Sequence, residues 1–387
     1  MIDEATLDRA VSAGILDAGQ RDALLRLARD PAKPRLPPEP IASLSVDDQM
    51  RLVGGGNDIF VTVGIVLLFS GVLFALRAVL PADSMLLAAS LAAASWGVAE
   101  IVTRQKRMRL SSTLLALVFS ASMAGLLLDF IGTRFALPGA INAFSLLALR
   151  GDALPIGLIL GLGLIAAACV YFIRFKVPVL AAIVAVAGTG LAFLGAVLIY
   201  HDRMISGDIA APGPNQLADV LSSALAIPLL CGMIIFIVAV FLDLRDRDRQ
   251  TVWSDCAFWL HVISAPLLVH PLFILATGQE VFSGQIEPGV TAGVLLGVMM
   301  VVFVLVALAI DRRSLLAPTL AYFGSVGIYY LVSGAANTTG IPPFALILIT
   351  IGAMVILFGA GWQRIRRLII GPLLPTSFLD RLPPIKA

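Results

Sequence analysis

The sequence predicts an all-α fold, a polytopic integral membrane bundle of about ten transmembrane helices carrying a small soluble helical hairpin at its N-terminus. Three observations carry that prediction. The chain is 59% hydrophobic and only 13% charged, far from the roughly 25% charged residues of soluble domains. Its apolar residues come in long blocks, each near the roughly 20 residues that a helix needs to cross a bilayer core. Basic residues fall in every second gap between these blocks: of the 27 Lys and Arg, all lie there except Arg77, Arg134, Arg150 and Arg203. Positively charged loops are retained in the cytoplasm during insertion, so the alternation places both termini in the cytoplasm of a bacterium with the bundle in its inner membrane. Barrel strands are excluded, because they would show about ten residues of alternating polarity.

Residues 1–30 read as a cytoplasmic helical hairpin. Leu7 and Val11 lie four apart, Leu24, Leu27 and Ala28 form a second helical stripe, and Gly14 falls between them as a break. Asp17 followed by Gln20 fits an N-cap with a reciprocal residue at the third helical position, so a second helix is expected to start there. Helices this short cannot hold a core alone and are expected to dock, on a protein partner or on the bundle. Residues 31–58 form a linker made semi-rigid by Pro31, Pro34, Pro37, Pro38 and Pro40, with Gly54, Gly55 and Gly56 as a flexible joint at its end. No apolar core precedes Ile59, so no signal peptide is expected.

The stretch LDRAVSAGILDAGQRDALLRLA, a proline-rich gap and then GIVLLFSGVLFAL resembles a group of uncharacterised bacterial membrane proteins, a domain-of-unknown-function family. Its members begin with a short cytoplasmic two-helix module and continue as a many-span bundle. The resemblance covers mainly the N-terminal third and implies an architecture; it brings no functional residues with it.

Residues 59–362 hold the expected spans: Ile59 to Leu76, Met85 to Ile101, Leu110 to Leu128, Leu154 to Phe172, Val177 to Tyr200, Val220 to Phe241, Ala257 to Thr277, Gly289 to Ile310, Leu315 to Val332 and Ile341 to Trp362. Residues 363–387 then form a cytoplasmic tail. Basic groups at Arg107 to Arg109, Arg174 to Lys176 and Arg312 to Arg313 each precede a helix rich in small residues. Stacked hairpin repeats would give such spacing, but alternating topology alone gives it too. Gly157, Gly161 and Gly163, with Gly188, Gly190 and Gly195, are expected to let helices approach closely. Pro178 and Pro318 mark helix starts, while Pro228, Pro266 and Pro271 mark kinks. Cys169, Cys231 and Cys256 have no zinc-site or redox-pair spacing, and no disulfide is expected.

No Asp, Glu, Lys or Arg falls in the middle of a predicted span, which disfavours ion-coupled carriers and voltage sensors. His261 lies a turn or so into the seventh span and His270 past its middle. Nine residues apart, they point to roughly opposite faces of an ideal helix and cannot share a ligand unless Pro266 kinks the span. The favoured reading is a neutral histidine hydrogen-bonded between helices. Asp129, Arg134, Arg77 and His201 lie at outer ends, where they either assemble a polar mouth above His270 or act as interfacial and snorkelling side chains. Glu100 and Asp255, with Trp96, Trp253 and Trp259, read as interface anchors. The run Asp243, Arg245, Asp246, Arg247, Asp248 and Arg249 reads as a solvated, self-paired surface.

No GxSxG context, phosphate-cradling loop or paired intramembrane aspartates occur, so no enzymatic activity, cofactor or metal site is expected. The expected partners are the lipid bilayer and a protein at the N-terminal helices, and no nucleic acid. Two functional classes remain: a membrane protein that anchors, senses or recruits a partner, and a transporter or channel for a small neutral or amphipathic solute.

Overall fold

A computed structural model describes residues 4–14, 17–29, 56–80, 85–135, 150–209, 224–246, 249, 251–277, 290–316, 343–373, 375 and 382. The described residues contain no strand, and every regular element is helical. Residues Met1–Gln49 form one compact unit and Met50–Ala387 another.

In the first unit lie α1 (Glu4–Ser12) and α2 (Ala18–Arg29). The expected reciprocal cap is present: the Gln20 backbone N–H donates to Asp17 Oδ1 at 2.8 Å, and the Asp17 N–H donates to Gln20 Oε1 at 3.1 Å. Both satisfy amides that the first turn of a helix otherwise leaves unpaired. Arg21 Nε meets Asp8 Oδ1 at 2.7 Å and so ties the two helices.

The second unit holds α3 (Gly56–Val79), α4 (Met85–Ala99), α5 (Arg109–Arg134), α6 (Arg150–Phe175), α7 (Leu180–Ile205), α8 (Ala226–Arg245), α9 (Val252–Thr277), α10 (Val290–Ile310) and α11 (Pro343–Leu373). Seven of the described helices are long and apolar enough to cross a membrane, and the bent pair within α11 would make eight. The chain is thus an all-α helical bundle of membrane character. Of the ten expected spans, Leu315 to Val332 lies outside the described residues but for its first two positions.

Several boundaries move. After α4 the helix widens into a π-helical segment, Glu100–Gln105, which carries the second expected span past Ile101. α9 runs unbroken through Pro266 and Pro271, so neither proline ends the helix. α11 continues to Leu373, well beyond Trp362, so the residues expected to open a tail are helical.

The turns after the π-helical segment, α6, α8 and α10 share one feature. Each contains a non-glycine residue in the left-handed region: Arg107, Lys176, Arg249 and Asp311, with φ of 53°, 54°, 54° and 58°. A left-handed residue just past a helix reverses the chain sharply. These four turns lie at the same end of the bundle, hereafter the basic end. A repeating hairpin unit is consistent with this recurrence. So is a pair of forked ion contacts, Glu100 with Arg174 and Asp243 with Arg312, each joining the end of one hairpin to the end of the next.

The apolar core has two parts. On α3 to α7, Trp96 packs against Phe119, Tyr171 and Phe175 with ring centroids 5.7, 5.5 and 5.0 Å apart. Trp96 is therefore a packing residue and not the interface anchor expected from its place near a span end. On α9 to α11, Ala265, Ala307, Leu308, Leu315, Trp362 and Ile370 form the second part.

Close approach between helices uses only some of the expected glycines. A Cβ at Gly161 would lie 2.5 Å from Leu191 Cδ2, whereas Gly188, Gly190 and Gly195 have open space around them. Among the described glycines the tightest backbone contact is at Gly232, where a Cβ would fall 2.9 Å from Leu267 Cβ and 3.1 Å from its carbonyl carbon. Backbone cannot step aside, so Gly232→Ala is expected to cost about 1–3 kcal/mol by overpacking the α8–α9 seam. Gly188→Ala is expected to change the melting temperature little; equal effects in detergent-purified protein would contradict this packing.

Candidate functional site

At the basic end the C-terminus of α8, the first half of α9, the turn after α10 and the second half of α11 converge on a buried ionic network. Asp243, in the last turn of α8, is 4% exposed. Its Oδ2 accepts from His261 Nε2 at 2.9 Å and from Arg312 Nε at 3.0 Å, and its Oδ1 accepts from Arg312 Nη2. A carboxylate only accepts, so the His261 proton sits on Nε2. Arg312 Nη2 also donates to the Ser254 carbonyl at 2.9 Å and to Ser254 Oγ at 3.2 Å. The Phe236 ring meets the His261 ring edge-on, with centroids 5.4 Å apart.

The neighbouring residue extends the network. Asp311 Oδ1 accepts from Trp362 Nε1 at 2.7 Å, and its Oδ2 lies 3.5 Å from Arg249 Nη2 and 3.7 Å from Arg366 Nη1. The same arginines cap α10. Arg366 Nε donates to the Leu308 carbonyl at 2.8 Å and Nη2 to the Ala309 carbonyl at 3.3 Å, while Arg249 Nη2 donates to the Asp311 carbonyl at 2.8 Å. Arg313 stacks its guanidinium 5.2 Å from the Trp362 ring centre.

The charge balance explains this arrangement. Among the described residues two buried carboxylates, Asp243 and Asp311, meet three buried guanidiniums, Arg249, Arg312 and Arg366, and burying such charge is costly unless each group is bonded. The final carbonyls of α10 carry the negative end of a helix dipole and have no partner within the helix. Two arginines placed on those carbonyls therefore satisfy them with charge-assisted hydrogen bonds.

Two further ionic contacts lie at the same end. Asp58, near the start of α3 and 2% exposed, caps α5 from another helix. Its Oδ2 accepts from the Leu110 N–H at 2.9 Å, and its Oδ1 from the Ser111 N–H at 3.0 Å and Ser111 Oγ at 2.6 Å. Glu100 accepts from Arg174 Nε at 2.8 Å and Nη2 at 2.9 Å, and Arg104 lies 3.3 Å away.

The residues singled out from sequence fare unequally. His261 is fully buried and hydrogen-bonded between helices, as favoured. His270, on the opposite face of α9, is half-buried, and so is Asp255. Among the described residues no polar mouth is assembled from ion pairs: Asp129 is half-buried, Arg134 and Arg77 are exposed, and these and His201 join in no ion pair there. The solvated reading of the 243–249 run is overturned at both ends, because Asp243 and Arg249 are buried and bonded to residues near 311. Asp246 does serve its own turn, accepting from the Thr251 N–H at 2.8 Å and Oγ1 at 2.6 Å.

Sequence reasoning missed Asp58, Ser254, Asp311, Arg312 and Arg366 as partners. A signal existed for Arg366: Trp362, Arg366 and Ile370 are four apart, a helical stripe with an arginine at its centre. Among the described residues no group of three His, Cys, Asp or Glu converges as a metal site would require, and Cys169, Cys231 and Cys256 are separate thiols.

Fold and site together define a helical membrane-type bundle in which, among the described residues, the buried charges are paired or capping and gathered at one end. No protein-family model, curated protein or solved structure matches the chain.

Proposed function

We propose that this chain is a non-catalytic multi-pass protein of the bacterial inner membrane that anchors, senses or recruits a partner through its N-terminal helices. In this reading the bundle has about ten spans, both termini are cytoplasmic, the basic end faces the cytoplasm, and α1 with α2 is a hairpin available to a protein. The sequence resemblance described above fits the same architecture.

One observation carries the reading. Among the described residues, every buried charged side chain lies at the basic end, and each is engaged in an ion pair or a helix cap. A carrier that couples to ions keeps charge at depth, where movement across the membrane is its work. Charges gathered at one end and locked to helix termini instead hold hairpins in fixed register, as a rigid membrane platform requires.

The test is a flux measurement on the full-length protein in liposomes under imposed pH and potassium gradients, followed by uptake of small neutral solutes. Flux equal to that of protein-free liposomes is expected. Protein-dependent flux above that baseline, abolished by substitution of His270 or His261, would replace this reading with the transporter.

A further inference from the structure

We propose that the seam between the turn after the π-helical segment and the turn after α6 binds an anionic phospholipid, with the headgroup phosphate on the cations of the two turns and an acyl chain along the outer side of α6. The seam is held in place from both sides. Glu100 accepts from Arg174 Nε at 2.8 Å and Nη2 at 2.9 Å, and Arg104 lies 3.3 Å from the same carboxylate. Behind that pair the Trp96 ring packs 5.0 Å from Phe175. Arg104, Lys106, Arg107, Arg174 and Lys176 are exposed, and residues 100–109 and 174–176 contain no acid besides Glu100. Asp58, which caps α5 beside them, is buried and directs its oxygens at the first amides of α5 and at Ser111. One exposed carboxylate thus meets several exposed cations, and the seam presents a positive surface of fixed geometry.

Apolar side chains next to the charge favour a lipid over a soluble anion. Val170 lies four residues before Arg174 and so on the same side of α6. It is 56% exposed, and the neighbouring Ile173 is 76% exposed. On the other helix Ile101, next to Glu100, is 55% exposed. Aliphatic side chains one turn from an arginine at a span end offer an acyl contact and a phosphate contact at adjoining depths. Clusters of cations between transmembrane helices recognise phosphorylated headgroups in this way, and guanidinium groups bind phosphate through charge-assisted hydrogen bonds. This step rests on the reading of the chain as membrane-spanning.

The test places the full-length protein in nanodiscs of phosphatidylcholine and phosphatidylglycerol, where both leaflets are open and orientation does not matter. One lipid at a time carries a photoreactive diazirine in its acyl chain, and crosslinks are mapped by mass spectrometry. Phosphatidylglycerol is expected to label residues 166–173 in preference to phosphatidylcholine by about tenfold or more. Lys106→Gln and Lys176→Asn, each alone, remove one cation from one turn and leave the Glu100–Arg174 pair intact; asparagine suits the left-handed backbone at 176. Each should lower the preference by about fivefold, with the melting temperature in pure phosphatidylcholine unchanged. Arg245→Gln, at an exposed cation ending α8, should leave the preference as it is. Equal labelling of residues 166–173 by the two lipids, or an equal loss in Arg245→Gln, overturns the proposal. Crosslinks from phosphatidylcholine around Leu67 on α3 separate the two readings, since their absence would overturn membrane spanning itself.

Discussion

Asp243→Asn is expected to destabilise the bundle by about 3–5 kcal/mol, because it leaves a guanidinium buried without its counter-charge. The wild-type carboxylate takes two bonds from Arg312 and one from His261. Asparagine keeps the volume but presents one acceptor oxygen and an amide that points hydrogens at donors. Arg312, 2% exposed, has no route to water that keeps α8, α9 and the turn after α10 together. Thermal unfolding in nanodiscs, followed by tryptophan fluorescence, should show a loss of many degrees or a failure to accumulate folded protein. A melting temperature within a degree or two of wild type would show that the network adds little.

The second large effect is expected at Asp311→Asn. Here two arginines, Arg249 and Arg366, lose their shared carboxylate while remaining buried. The Trp362 indole can still donate to the asparagine oxygen, so the local shape survives and the loss is chiefly electrostatic. A cost of several kcal/mol follows from the same uncompensated burial, but it should be spatially selective. Hydrogen exchange should quicken over residues 360–373, since Arg366 and Trp362 pin that half-helix to the end of α10. Exchange quickening equally in α3 to α7 would contradict a local clamp.

How much of this was legible in the sequence depends on the range of the interaction. Helix existence was readable because a block of apolar residues has one low-energy arrangement in lipid, with every backbone group bonded inside the segment. The Asp17 and Gln20 cap was readable because its two partners are three residues apart and reach one another only in a helix start. The basic turns were readable from charge alternation alone. The network was not: Asp243 and Arg312 are 69 residues apart, and a charge run on a short turn looks the same in sequence whether it faces water or another turn. His261 was correctly singled out as an interhelical link, yet its partner was invisible for the same reason. Of the two readings of the outer-end residues, the interfacial one fits the described residues, because residues placed at one end of their helices by depth still differ in rotation and lateral position. Depth is a one-dimensional quantity, and contact needs three.

Asp58 shows the same limit from another side. An aspartate at the start of an apolar helix reads as favourable placement against its own helix dipole. In the structure its carboxylate instead bonds the first amides of α5. The residue type and end were consistent with capping; the identity of the capped helix required the fold.

If the buried ionic network is a clamp whose members matter as pairs, a double-mutant cycle across it will show the coupling. Asp243→Leu, Arg312→Leu and the double variant would be compared with wild type by unfolding in nanodiscs. Each single change is expected to be severely destabilising and the double milder than the sum by about 2 kcal/mol or more, because an apolar pair leaves no orphaned charge. Additive costs, with the double as damaging as both singles together, would contradict the clamp.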